Sequence, residues 1–156
     1  MGRYQKAINI NASVEDVFHF HDDTRNLIKI TPPTIKVSFT TRGAAGLGQD
    51  IFLSVRQFGI VRTTWHVRIT AYQAPSIMVD EQIKGPFATW KQTRVIAPGQ
   101  DGGTTLTDIV DYTLPFGPLG RLVDALVVRK QIERMFAHRQ QATKNLLELS
   151  ALQKMQ

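Results

Sequence analysis

From Ile35 to Leu114 the chain passes through six stretches in which apolar residues return at every second position, and from Leu119 to Gln156 it contains no proline. A period of two buries one face of a strand. A long proline-free stretch with apolar residues three and four apart builds one face of a helix. The alternating stretches are Ile35–Phe39, Asp50–Arg56, Thr63–Tyr72, Ile77–Ile83, Thr89–Ala97 and Gly103–Leu114. Gly43 to Gly48, Pro75, Gly85-Pro86 and Pro98 to Gly103 punctuate them at hairpin distances, which predicts antiparallel pairing.

Upstream, Arg3–Ile10 alternates with Tyr4, Ile8 and Ile10 on one face, a first strand. Ser13 is placed to cap a helix that runs to about His21, with Glu15 and Asp16 at its positive end. A second short helix covers Thr24–Ile30 and stops before Pro32-Pro33, since proline disfavours helix in the residue before it. The order predicts one α+β domain over residues 1–156. It is a curved seven-stranded antiparallel sheet around a long C-terminal helix, with two short helices after the first strand. A twisted sheet that curls around a helix leaves a gap for side chains or for a ligand.

The terminal helix carries two apolar stripes. Leu119, Leu122, Val123, Leu126 and Val127 share one face at about 100° per residue. Val128, Ile132, Met135, Ala142, Thr143, Leu146 and Leu149 share another, rotated by roughly half a turn. One straight helix cannot bury both against one sheet, so a break is expected near Val128–Lys130. The first piece then serves as a lid or a wall at one end of the core; the alternative is a straight helix whose first turns are buried by a partner chain.

Apolar residues form 42% of the 156 and charged residues 21%, which excludes a disordered chain. No apolar run approaches the roughly 20 residues that span a bilayer, and no secretory signal is expected. The absence of cysteine excludes disulfides, thiolate metal sites and a cysteine nucleophile, and fits a cytoplasmic location. The net charge is +6, and the segment from Pro118 onward holds seven cations against three anions. A basic helix of this kind is a solvated face, or it attracts an anionic ligand or membrane surface. The cations are not interleaved with stacking aromatics, so no nucleic-acid partner is expected.

Several local motifs resemble the START-like SRPBCC, or helix-grip, superfamily. They are Ile10 to Phe18, Leu27 to Pro32, Asp80 to Phe87, Trp90 and Leu114 to Gly120. The last two are similar in combination to a bacterial ligand-binding and polyketide-cyclase-like branch, with Gln92 and Arg94 standing where that branch has histidines. The resemblance covers essentially the whole chain. It implies an apolar cavity between sheet and helix in a superfamily of lipid carriers, hormone binders and cyclases. It does not assign a reaction.

Arg139 falls within the apolar stripe of the terminal helix, where a cation needs a partner. It binds a ligand carboxylate, phosphate or carbonyl, pairs with a cavity acid, or reaches to the surface. Asp108 shares a strand face with Leu106, Val110 and Tyr112, and Arg94 or Gln92 lies opposite it depending on register. Trp65, Trp90, Tyr112, Phe116, Ile132 and Met135 are read either as cavity lining or as ordinary core. His19, His21, His66 and His138 form no zinc pattern, and neither a metal nor a cofactor is expected.

Three functions follow. The first is binding or transport of a small hydrophobic ligand, lipid-like or aromatic, with an anionic or carbonyl group. The second is a polyketide cyclase or dehydratase in which Arg139 holds a carbonyl while Asp108, Tyr112 or His66 moves protons. The third is peripheral docking on a membrane surface or a protein through the basic terminal helix.

Overall fold

A computed structural model of the protein describes residues 1–57 and 61–156. Strand β1 (Gly2–Ile10) leads into helices α1 (Val14–Asp22) and α2 (Asn26–Ile30). Strands β2 (Ile35–Arg42), β3 (Asp50–Gln57), β4 (Val61–Gln73), β5 (Ile77–Lys84), β6 (Thr89–Pro98) and β7 (Thr104–Thr113) follow. They form one antiparallel sheet in the order β1-β7-β6-β5-β4-β3-β2. This is the expected α+β helix-grip arrangement. The register between β4 and β5 shifts at His66/Val67 and again at Ile69/Ala71. Such irregularities bend a strand and help a sheet to curve.

Local chemistry accounts for the elements. The Ser13 hydroxyl accepts from the Asp16 backbone N–H at 3.0 Å and caps α1. That helix buries Val17 and Phe18 almost completely, each side chain contributing roughly 1.5–3 kcal/mol. Strand β7 alternates without a fault, with Leu106, Asp108, Val110 and Tyr112 all buried.

The chain leaves β7 through a tight corner at Pro115 to Pro118. Phe116 adopts a left-handed φ of 73° there. Helix α3 (Gly117–Val123) then passes into a single π-helical segment, Asp124–Val128, and on into α4 (Arg129–Lys154). In the π segment the Arg129 N–H donates to the Asp124 carbonyl, five residues back. The extra residue per turn rotates the phase of the helix. This is the irregularity that the two stripes call for, one turn earlier than expected. Gly120 is required in α3, because a Cβ there would lie 2.2 Å from the Pro115 carbonyl oxygen.

The buried face of α4 is Ile132, Phe136, Gln140, Thr143 and Leu147. It packs on β1 and α2. Lys144 donates to the Asn9 carbonyl at 2.8 Å, and Glu148 accepts from the Asn11 N–H at 2.9 Å, which pins α4 to the end of β1. Tyr112 donates to Asp124, anchoring the π segment to β7. The first stripe does not reach the core: Leu119, Leu122, Val123, Leu126 and Val127 are all exposed. Among the described residues no helix is long and apolar enough to cross a membrane.

Candidate functional site

The core falls into two apolar clusters. One gathers Ile10, Phe18, Ile69, Met78, Ile96, Leu106 and Leu147 around α1. The other gathers Trp90, Val110, Tyr112, Ile132 and Phe136 under the start of α4. Aromatic rings fill this second end. Phe87 lies 4.9 Å from Trp90, and Trp65 meets Trp90 edge-on at 5.4 Å.

Between the sheet and α4 lies a cavity of about 380 Å³. Its wall on β2 to β4 is apolar, formed by Ile35, Val37, Ile51, Leu53, Val55 and Trp65. Its other wall includes the polar side chains His21 from α1, Asp80 from β5, Gln92 and Arg94 from β6, and Arg139 from α4. Register explains part of the grouping. Asp80 pairs with Gln92 across β5 and β6, and Arg94 pairs with Asp108 across β6 and β7, so all four share the concave face.

Burial governs the charges. The Asp80 carboxyl is pushed up to about 6 by burial, against the pull of Arg94 and Arg139 and with a further push from Asp108 and Glu81. Burial first, then Arg94 and Arg139, hold His21 well below the usual imidazole range, so its ring is neutral. The Arg139 guanidinium is brought down to about 10, mainly by burial and then by Arg94, with Asp108 and Asp80 opposing. Its Nε is buried without a hydrogen-bond partner, as is Nε2 of His21. The guanidinium carbon stands 5.5 Å from the centre of the Phe136 ring.

Of the residues proposed from sequence, Arg139, Arg94, Trp65, Trp90, Ile132 and Met135 line this cavity. Three others do not. Asp108 is behind the wall, where it accepts from Gln92 Nε2 and Arg94 Nε, each at 3.3 Å, and from Gln140 Nε2 at 3.0 Å. It is a buried structural acceptor that holds β6, β7 and α4 together. Tyr112 packs behind Phe87 and Trp90, with its hydroxyl on Asp124. Phe116 is 81% exposed, because the left-handed corner carries it away from the sheet, and Leu114 takes the place expected of it. His66 also lies elsewhere, bonded to Asp50 and stacked on Phe52, since alternation puts it opposite Trp65.

Sequence reasoning missed His21, Asp80 and Phe87. Asp80 carried a signal, being two residues from Met78 on a strand. However, Ile77-Met78-Val79 is apolar throughout, so the inward face could not be read. A half-buried guanidinium with no acceptor at Nε, a neutral imidazole and a carboxyl raised to about 6 can together receive an oxygen atom or exchange a proton with one. Among the described residues no three or more histidine, aspartate or glutamate side chains converge to hold a metal ion.

Solved structures of the same fold are numerous. A protein from Thermus thermophilus, TTHA0849, superposes with a TM-score of 0.79 at 17% identity, covering 96% of this chain and 99% of that one. The protein CV1439 from Chromobacterium violaceum gives 0.76 at 13% identity, covering 95% and 99%. The di-domain ARO/CYC StfQ from the steffimycin biosynthetic pathway gives 0.79 at 13%, covering 96% of this chain and 51% of that longer one. No curated protein sequence matches. The profile of the family described as "Polyketide cyclase / dehydrase and lipid transport" matches residues 1–148, so with its sheet wrapped on a terminal helix over a cavity the chain belongs to that family.

Proposed function

We propose that the protein binds and carries a small hydrophobic molecule, lipid-like or aromatic, in the space between the sheet and α4. The observation that carries this reading is the cavity of about 380 Å³ with its wall of Ile, Val, Leu and Trp side chains. Ligand sites are typically mostly apolar with a few placed polar groups. Native mass spectrometry of the freshly purified protein, repeated after denaturation, tests it. A bound species released on denaturation supports the carrier. A clean apo mass, together with no binding of hydrophobic probes, removes it. The cytoplasmic placement rests on the absence of cysteine alone.

One observation favours a second reading, a cyclase- or dehydratase-like activity. Asp80 and His21 stand on the cavity wall with Arg139, so a bound carbonyl could be held while a proton moves. The proton carriers expected from sequence, Asp108, Tyr112 and His66, lie outside the cavity, and the activity in that form lacks its geometry. Turnover of a polyketide-like substrate that is lost in Asp80→Asn, with binding kept, would support this second form.

A third reading concerns ligand exchange. Leu119, Leu122 and Leu126 are exposed on α3 and the π segment, with Arg121, Arg129 and Lys130 exposed beside them. Leu114 and Val128, at either end of this stretch, line the cavity. An apolar stripe flanked by cations fits the surface of an anionic bilayer. Co-sedimentation with vesicles containing phosphatidylserine, weakened by salt and by Leu122→Glu, is the expected result. Absence of salt-sensitive binding removes the reading.

A further inference from the structure

The polar wall of the cavity carries the Arg94 and Arg139 guanidinium groups and the Asp80 carboxyl, and behind it lies the fully engaged carboxylate of Asp108. Asp108 accepts three hydrogen bonds, and its ion pair is with Arg94 at 3.3 Å. Arg139 is left over. Its Nε has no acceptor, and beside it on the same wall the His21 Nε2 has none either. Arg139 is half-buried, and a guanidinium whose inner nitrogen is buried with no acceptor is a costly feature for a fold to keep. Arg139 is therefore a group whose partner arrives from outside the chain.

We propose that Arg139 and His21 form an anion subsite, and that the ligand is an amphiphile bearing one carboxylate on an apolar or aromatic body. This rests on the hydrophobic-carrier reading and adds the head group to it. The charge selects a single negative group. Arg94 is paired with Asp108, Arg139 makes no ion pair among the described residues, and Asp80 stands on the same wall and adds its own negative charge there. A dianionic phosphate would face that acid with one free cation. The planar guanidinium fork matches a carboxylate in two-point geometry, and a neutral imidazole N–H supplies a further donor.

The layout also sets the pose. Arg139 follows Ile132 and Phe136 of the aromatic cluster along α4 and precedes Leu147 of the cluster around α1, so the head group sits partway along the cavity. The apolar body then lies against the β2 to β4 wall, across from the polar one.

The test uses the tryptophan fluorescence of the full chain at pH 7, since Trp65 and Trp90 line the cavity. The probes are saturated chains from octanoate to tetradecanoate, the matching alcohols and the matching alkyl phosphates. A hydrogen bond to a charged group contributes about 1.5–3 kcal/mol. The carboxylate should therefore bind at least about tenfold tighter than the alcohol. It should also bind tighter than the phosphate. In Arg139→Met the carboxylate should lose that advantage, while the alcohol keeps its affinity within about twofold. Equal or tighter alcohol binding by the wild type overturns the subsite, and no variant is needed to see it. So does a carboxylate preference that survives Arg139→Met, or a preference for phosphate. Alcohols that bind without any carboxylate preference leave the hydrophobic carrier standing and remove only the subsite. If no chain of any class binds the folded protein, both fall together.

Discussion

Arg139→Met should make the empty protein more stable. The substitution removes a cation with no partner at Nε and puts in a flexible apolar side chain beside Ile132 and Met135. The fall of the guanidinium from 12.5 to about 10 corresponds to roughly 3 kcal/mol of strain in the charged form. The sign follows from proton binding. A base with a lowered folded value is charged in both states at neutral pH, so the penalty is fully present there. It is relieved only as pH rises through about 10. Some of that energy is lost with the cation–π contact to Phe136, worth about 0.5–1 kcal/mol. A net gain of about 1–3 kcal/mol remains, in the range seen when buried charges give way to apolar groups. For a chain of this size each kcal/mol moves Tm by about 2–4 °C, so calorimetry should show a rise of several degrees. Urea denaturation should show a higher midpoint at unchanged slope. A saturating carboxylate ligand should narrow or reverse the difference by stabilising only the wild type. A variant less stable than the wild type by more than about 1 kcal/mol would refute the reasoning. The guanidinium would then have a native partner within the fold, and Asp80 is the first candidate.

Other outcomes follow from the same geometry. Asp80 has a folded value of about 6, against 3.8 ordinarily. Its favourable contribution is complete below about pH 4 and is lost as pH rises through about 6. Asp80 shares its wall with His21, Arg94 and Arg139 and also feels the charges of Asp108 and Glu81, so Asp80→Asn should flatten the pH dependence of the urea midpoint between those limits. Asp108→Ala strips the acceptor from Arg94, Gln92 and Gln140 and should cost about 3–5 kcal/mol in the same assay. Tyr112→Phe removes the donor to Asp124 and should destabilise by about 1–2 kcal/mol, with amide exchange accelerating first in Asp124–Val128. Gly120→Ala drives a Cβ against the Pro115 carbonyl and should cost about 1–3 kcal/mol as a lowered Tm.

Some of this was open to reading in the chain itself. Alternation set the seven strands because each buries one face, and that requirement is local and has a period of two. Ser13 and Pro32 marked helix ends because capping and proline sterics act within a few residues. The two stripes of the terminal helix announced a break because a rigid helix has only one face per direction. The form of that break, one π segment at Asp124–Val128, depends on a tether from Tyr112 on β7 that no local pattern reveals. The unpaired state of Arg139 was likewise out of reach. It exists because Asp108, on β7, is consumed by Arg94, Gln92 and Gln140, and Asp80, on β5, makes no ion pair with Arg139. The polar wall draws on α1, β5, β6 and α4, and the charge balance there depends on distances between elements. Sequence determined which residues face inward along most of the strands. The tertiary structure alone decided which of them find partners, because pairing in a low-dielectric cavity is set by separations of a few ångströms between segments far apart in the chain.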